Sequence, residues 1–147
     1  MKPFLLAVLL AASMAAPVAA QNPNAAGQVD QAVTQCQVAL QRYQDTEGFN
    51  ADVAHQGQAM CHTAGDMVKQ YDPNNLVKQL AMYTAATALA YSAVESYDIP
   101  GACAEMQNGW VGVASKIVND DNYADSQADA IAASGLDWFG KNCMTRS

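Results

Sequence analysis

The chain has 147 residues, 51% of them hydrophobic, with seven basic and fourteen acidic side chains. A chain this acidic is repelled by phosphate backbones and anionic lipid headgroups, and no cluster of Lys and Arg overrides that, which excludes nucleic-acid binding. Its length allows one domain, able to bury roughly two thirds of its unfolded surface.

Residues 1–20 read as a secretory signal peptide. Lys2 supplies the positive start, Phe4 to Ala16 the apolar stretch, and Val18, Ala19 and Ala20 the small residues before a cut ahead of Gln21. The apolar run is shorter than the roughly 20 residues of a spanning helix, so cleavage is preferred over an uncleaved anchor, and no membrane span is expected afterwards. The first cysteine beyond it, Cys36, lies within a helical pattern, which argues against an acylated lipoprotein. The expected destination is the periplasm, with secretion or the cell surface as the alternative.

The leader takes Lys2 with it, leaving six basic and fourteen acidic residues. The plainest reading of this acidity is solubility; the sharper one is a partner that carries positive charge.

Residues 21–26 are expected to form a flexible polar tail and residues 27–147 a single helical domain. The first helix places Val29, Val33, Cys36, Leu40 and Tyr43 on one face, stepping by four and three, with Ala32 and Ala39 widening it. Its other side is rich in glutamine. After a loop containing Gly48, Asn50 is a good N-cap for a second helix, whose expected inward face is Val53, Gly57, Met60, Ala64, Met67 and Tyr71.

The stretch from Asp72 to Asp98 is apolar on nearly every side, with no charge between Lys78 and Glu95. It predicts a buried central helix, with Asp72 as cap, Pro73 in the first helical position, and side chains as far as Val94 packed inward. Ile99, Pro100 and Gly101 then break the chain before a fourth helix with Cys103, Met106, Trp110, Val113 and Ile117 inward. Gly109 and Gly112 each weaken that helix by about 1 kcal/mol relative to alanine, which predicts close packing against another helix. Asn119 to Asn122 form a turn and cap, and a fifth helix offers Ala128, Ile131, Gly135 and Trp138, with Ala132, Phe139 and Cys143 alongside. The fold class is therefore all-α: a single-domain bundle of about five helices, with two disulfide-stapled hairpins around a buried central helix.

Four cysteines in an exported chain imply two disulfides. Cys36 and Cys61 stand at similar heights on antiparallel neighbours, and Cys103 and Cys143 at adjacent ends of the last hairpin. Pairing either of the first two with the C-terminal hairpin is the alternative. The closed loops are worth roughly 3.5 and 4 kcal/mol in chain entropy.

Residues suited to chemistry are few. His55 and His62 both fall on the side of the second helix away from Met60, where they should point at water. Seven residues separate them, about 10.5 Å of rise, too far to share one ion, so they are weak metal candidates only, paired with Asp52 and Asp66 respectively. Glu47, Glu95 and Glu105 are the only glutamates, and none is expected on an inward face as paired-carboxylate chemistry requires. There is no nucleophile elbow, phosphate loop or haem motif. Met60, Met67, Met82 and Met106 read as core filler rather than copper ligands, and Trp110, Trp138 and Phe139 as the core of the last hairpin. No cofactor is expected.

The expected function is non-catalytic binding of another protein, as an inhibitor or immunity-type module that covers a basic partner. The alternatives are a carrier with an apolar pocket between the hairpins, and an envelope stress or assembly factor.

Overall fold

The computed structural model describes residues 23–47, 49–120 and 125–144; the leader expected over residues 1–20 lies outside them. The described residues form α1 (Pro23–Asp45), α2 (Ala51–Tyr71), α3 (Leu76–Tyr91), α4 (Ile99–Glu105), α5 (Val111–Val118) and α6 (Ser126–Phe139). A π turn, Met106–Trp110, joins α4 and α5 into one rod, and a second, Gly140–Met144, ends α6. Five helical rods therefore make up an all-α bundle, and among the described residues there is no strand.

The central helix is α3, which touches each of the other helices. Every residue from Lys78 to Ala90 is buried, as a segment apolar on all sides requires. It is shorter than its sequence pattern suggests. Asn75, not Asp72, is the N-cap, its side chain accepting from the Lys78 amide at 3.1 Å. Asp72 instead closes α2, its N–H donating to the Val68 carbonyl at 2.7 Å. Pro73 lies in the turn between the two helices. At the other end α3 stops at Tyr91, with Ser92 as C-cap, and Val94 is exposed in the connection that follows.

Both disulfides pair as the helix heights dictate: Cys36 with Cys61, Cα atoms 4.5 Å apart, and Cys103 with Cys143, 5.6 Å apart. The buried face of α1 is Val29, Val33, Cys36 and Leu40, with Ala32 and Ala39 alongside. The helix begins at Pro23, earlier than the expected tail allows, and Ala25 is buried.

The face of α2 is turned by less than one residue from the expected one, with Gly57 and Ala64 common to both. Ala54, Gly57, Cys61, Ala64, Gly65 and Val68 are buried, whereas Met60 and Tyr71 are exposed. One residue is about 100° of helix rotation, and a turn of less than that is enough to exchange Met60 and Tyr71 for smaller side chains. The reason is close approach. A Cβ on Gly57 would stand 2.8 Å from Leu89 Cδ1 of α3, and one on Gly65 would stand 2.7 Å from the Tyr83 ring.

On the α4–α5 rod, Met106, Trp110, Val113 and Ile117 are buried as their spacing predicts. The buried Trp110 indole donates to Thr84 Oγ1 of α3 at 2.8 Å. Gly109 lies in the π turn and also approaches the Tyr83 ring, where a Cβ would be 2.5 Å away. Gly112 has nothing within 4 Å, so the close packing expected of it is absent. The cap of α6 is Asp125, whose side chain accepts from the Ala128 amide at 3.0 Å. Residues 121–122 of the expected turn lie outside the described residues.

Candidate functional site

Two places hold polar or apolar side chains that folding alone does not account for: a polar cluster where the hairpins meet, and the surface at one end of the bundle.

The polar cluster is built by the rotation of α2. His55 is exposed, as the sequence predicts, but His62 is not directed at water. Its side chain is only 29% exposed, and its Nδ1 lies 2.7 Å from Oε2 of Glu105, a residue 5% exposed on α4. The expectation that no glutamate faces inward is corrected at the same point. Gln58 Nε2 donates to Glu105 Oε1 at 3.1 Å, so both oxygens of the buried carboxylate are satisfied. On its other edge His62 Nε2 lies 3.3 Å from Asp66 Oδ2. Asp66 Oδ1 in turn accepts from the Tyr83 hydroxyl at 2.5 Å. Burial, and then this hydrogen bond to Asp66, push the Tyr83 phenol well above its ordinary pKa.

A carboxylate orienting an imidazole is the arrangement of many general bases. Here both ring nitrogens face carboxylates, so neither is directed at a nucleophile. The same geometry keeps the three acid and imidazole groups from converging on one ion, and among the described residues no group of three His, Cys, Asp or Glu side chains is disposed to hold a metal. What the cluster does is mechanical. It joins α2 of the first hairpin to α4 of the second, across the edge of α3, with satisfied hydrogen bonds.

The surface feature lies at the end of the bundle where α1 stops, α2 starts, and α3 passes to α4. The Tyr43 hydroxyl of α1 reaches the Ser92 carbonyl at 3.4 Å, tying the first and third of these segments together. Trp138 near the end of α6 meets Tyr91 edge to face, ring centroids 6.2 Å apart. This loop end collects exposed apolar side chains, Phe49, Val94, Tyr97 and Met144. The same segments carry Asp45, Glu47 and Glu95, all exposed, and the partly buried Asp98, against the exposed Arg42 and Lys141. Tyr97 has φ 70°, the one non-glycine residue with positive φ among those described.

Below the loop end, between α1 and α2, runs an apolar groove of about 300 Å³. Val38, 61% exposed, and Met60 stand over Ala39, Val53 and Gly57, with Gln35, Arg42 and Gln56 among the polar residues at its sides. It lies within the first hairpin, not between the two hairpins, where the alternative carrier reading places a pocket. Among the described residues no helix is long and apolar enough to cross a membrane.

Comparison with protein-family models, with curated proteins and with solved structures finds no match.

The sequence-predicted candidates thus separate. The four cysteines meet in pairs, His62 joins a partly buried network, and His55 stays apart in solvent. Glu105 and the loop-end surface were missed. For Glu105 the available signal was its position two residues after Cys103 and one before Met106, at the edge of an inward face. For the loop end it was the recurrence of acidic residues beside aromatic ones in both connections.

Proposed function

We propose that the protein is exported and acts by binding, without catalysis, gripping a basic segment of another protein at its loop end. The observation that carries this reading is the exposure of Phe49, Val94, Tyr97 and Met144 in the segments at the loop end, the same segments that carry the exposed carboxylates Asp45, Glu47 and Glu95. Exposed aromatic and methionine side chains favour interfaces, and a carboxylate surround selects a partner of opposite charge. An inhibitor or immunity-type module is the form such binding takes. The two disulfides are compatible with an oxidising compartment, and the N-terminal pattern supports export to the periplasm, with secretion or surface display as the alternative.

The test is capture at low ionic strength from envelope and secreted fractions, beside a variant carrying Glu47→Lys and Glu95→Lys. A basic protein retained by the native chain, released by salt and lost from the variant supports the proposal. Retention of the same proteins by both, or of no basic protein, overturns it.

The groove between α1 and α2 favours a second reading, carriage of a small apolar ligand. Extraction of the native protein followed by mass spectrometry distinguishes the two, because a carrier brings its cargo and an inhibitor comes off clean.

A further inference from the structure

We propose that Tyr97, stacked on Tyr91 and backed by Trp138, is a platform for an arginine side chain of the partner. The proposal rests on reading the loop end as a site for a basic protein, and it names the group that is recognised there.

Three rings stand in series. The Tyr97 ring lies nearly parallel to Tyr91, centroids 4.7 Å apart and planes 12° from each other. Tyr91 in turn meets Trp138 at 86°. Tyr97 remains 54% exposed, although its ring is stacked on Tyr91.

The backbone that achieves this is an unusual one. At φ 70° a tyrosine occupies the left-handed region, where glycine is the ordinary choice and a bulky residue is strained. Two hydrogen bonds close the loop around it: the Tyr97 N–H donates to the Val94 carbonyl at 3.2 Å, and the Asp98 N–H to the Tyr91 carbonyl at 2.7 Å. Strain of this kind at an exposed residue is a pointer to function. A glycine would close the same turn without strain and would present no ring.

The chemistry of the occupant follows from the platform and its surroundings. A cation above a tyrosine face is attracted by the ring quadrupole. Glu95, exposed in the same turn, adds negative charge. The second nearby carboxylate, Asp98, already accepts from the Gly101 amide at 2.8 Å as the cap of α4. Arginine suits this arrangement better than lysine, because its planar guanidinium stacks flat on the ring and leaves its N–H edges for a carboxylate.

The experiment uses the disulfide-intact protein at low ionic strength, with aromatic-ring NMR signals assigned for Tyr91, Tyr97 and Trp138. The probes are a hexa-arginine amide, a hexa-lysine amide and a neutral oligosaccharide. The arginine peptide should shift the Tyr97 and Tyr91 ring signals and bind roughly threefold or more tightly than the lysine peptide. Tyr97→Gly should keep or raise the melting temperature while abolishing the preference for arginine, and Tyr97→Phe should retain it. The wild-type ring shifts decide the matter even if the glycine variant folds poorly. Equal binding of both peptides, with no shift at Tyr97, overturns the platform and leaves the loop-end reading intact. A response to the oligosaccharide alone also overturns it, in favour of a sugar site. Failure of both cationic peptides to bind overturns both proposals.

Discussion

Tyr83 of α3 is a buried phenol that meets both neighbouring hairpins. Its ring is approached closely by both Gly65 and Gly109, and its hydroxyl ends on Asp66. Because burial and the Asp66 hydrogen bond raise its pKa, the folded protein keeps the phenolic proton at pH values where the unfolded chain has lost it. The resulting stability is complete below the ordinary tyrosine pKa of 10.0 and is lost as pH climbs towards the folded value. Stability should therefore fall by up to about 1.4 kcal/mol per pH unit above that point on this residue's account. Denaturant titrations of Tyr83→Phe between about pH 10 and 11.5 should show a flatter decline than the native protein. An unchanged slope would mean that the buried phenol does not set the alkaline limit.

At the scale of the element, glycine decides how closely helices approach. Gly109→Ala would drive a Cβ to 2.5 Å from the Tyr83 ring, and Gly65→Ala to 2.7 Å, and each should cost about 1–3 kcal/mol as overpacking. Gly112 has open space around it, so Gly112→Ala should stabilise by about 0.5–1 kcal/mol through helix propensity. Thermal melts of the three variants check the order, and a destabilised Gly112→Ala would contradict the packing. Much of this scale was legible in advance. The bulky stripe of α1 and the inward set of the α4–α5 rod are what periodicity detects. In α2 the same rule pointed to Met60, Met67 and Tyr71, because periodicity weights large apolar side chains. The helix instead buries alanine and glycine, a choice that depends on the shape of Leu89 and Tyr83 opposite.

At the scale of the molecule, the described residues form two cross-linked hairpins that meet through a shared helix and a polar bridge. Cys36 and Cys61 are fully buried, whereas Cys103 and Cys143 are partly exposed. Mild reductant should therefore open Cys103–Cys143 first, removing about 4 kcal/mol of loop-closure stabilisation, while Cys36–Cys61 persists until the bundle unfolds. Thiol labelling with peptide mapping along a reductant series, read beside the melting temperature, checks this. Simultaneous labelling of all four cysteines would show that the first hairpin is no better protected than the second.

The amino-acid sequence by itself determined the number and order of the helical rods, the burial of α3 and both disulfide partners. These follow from local periodicity and from the heights that short connections impose on neighbouring helices. Only the tertiary structure decided the rotation of α2, the burial of Glu105 against His62 and the meeting of two distant connections with the end of α6. Each depends on the shape and polarity of a surface far away in the chain, which no local pattern encodes.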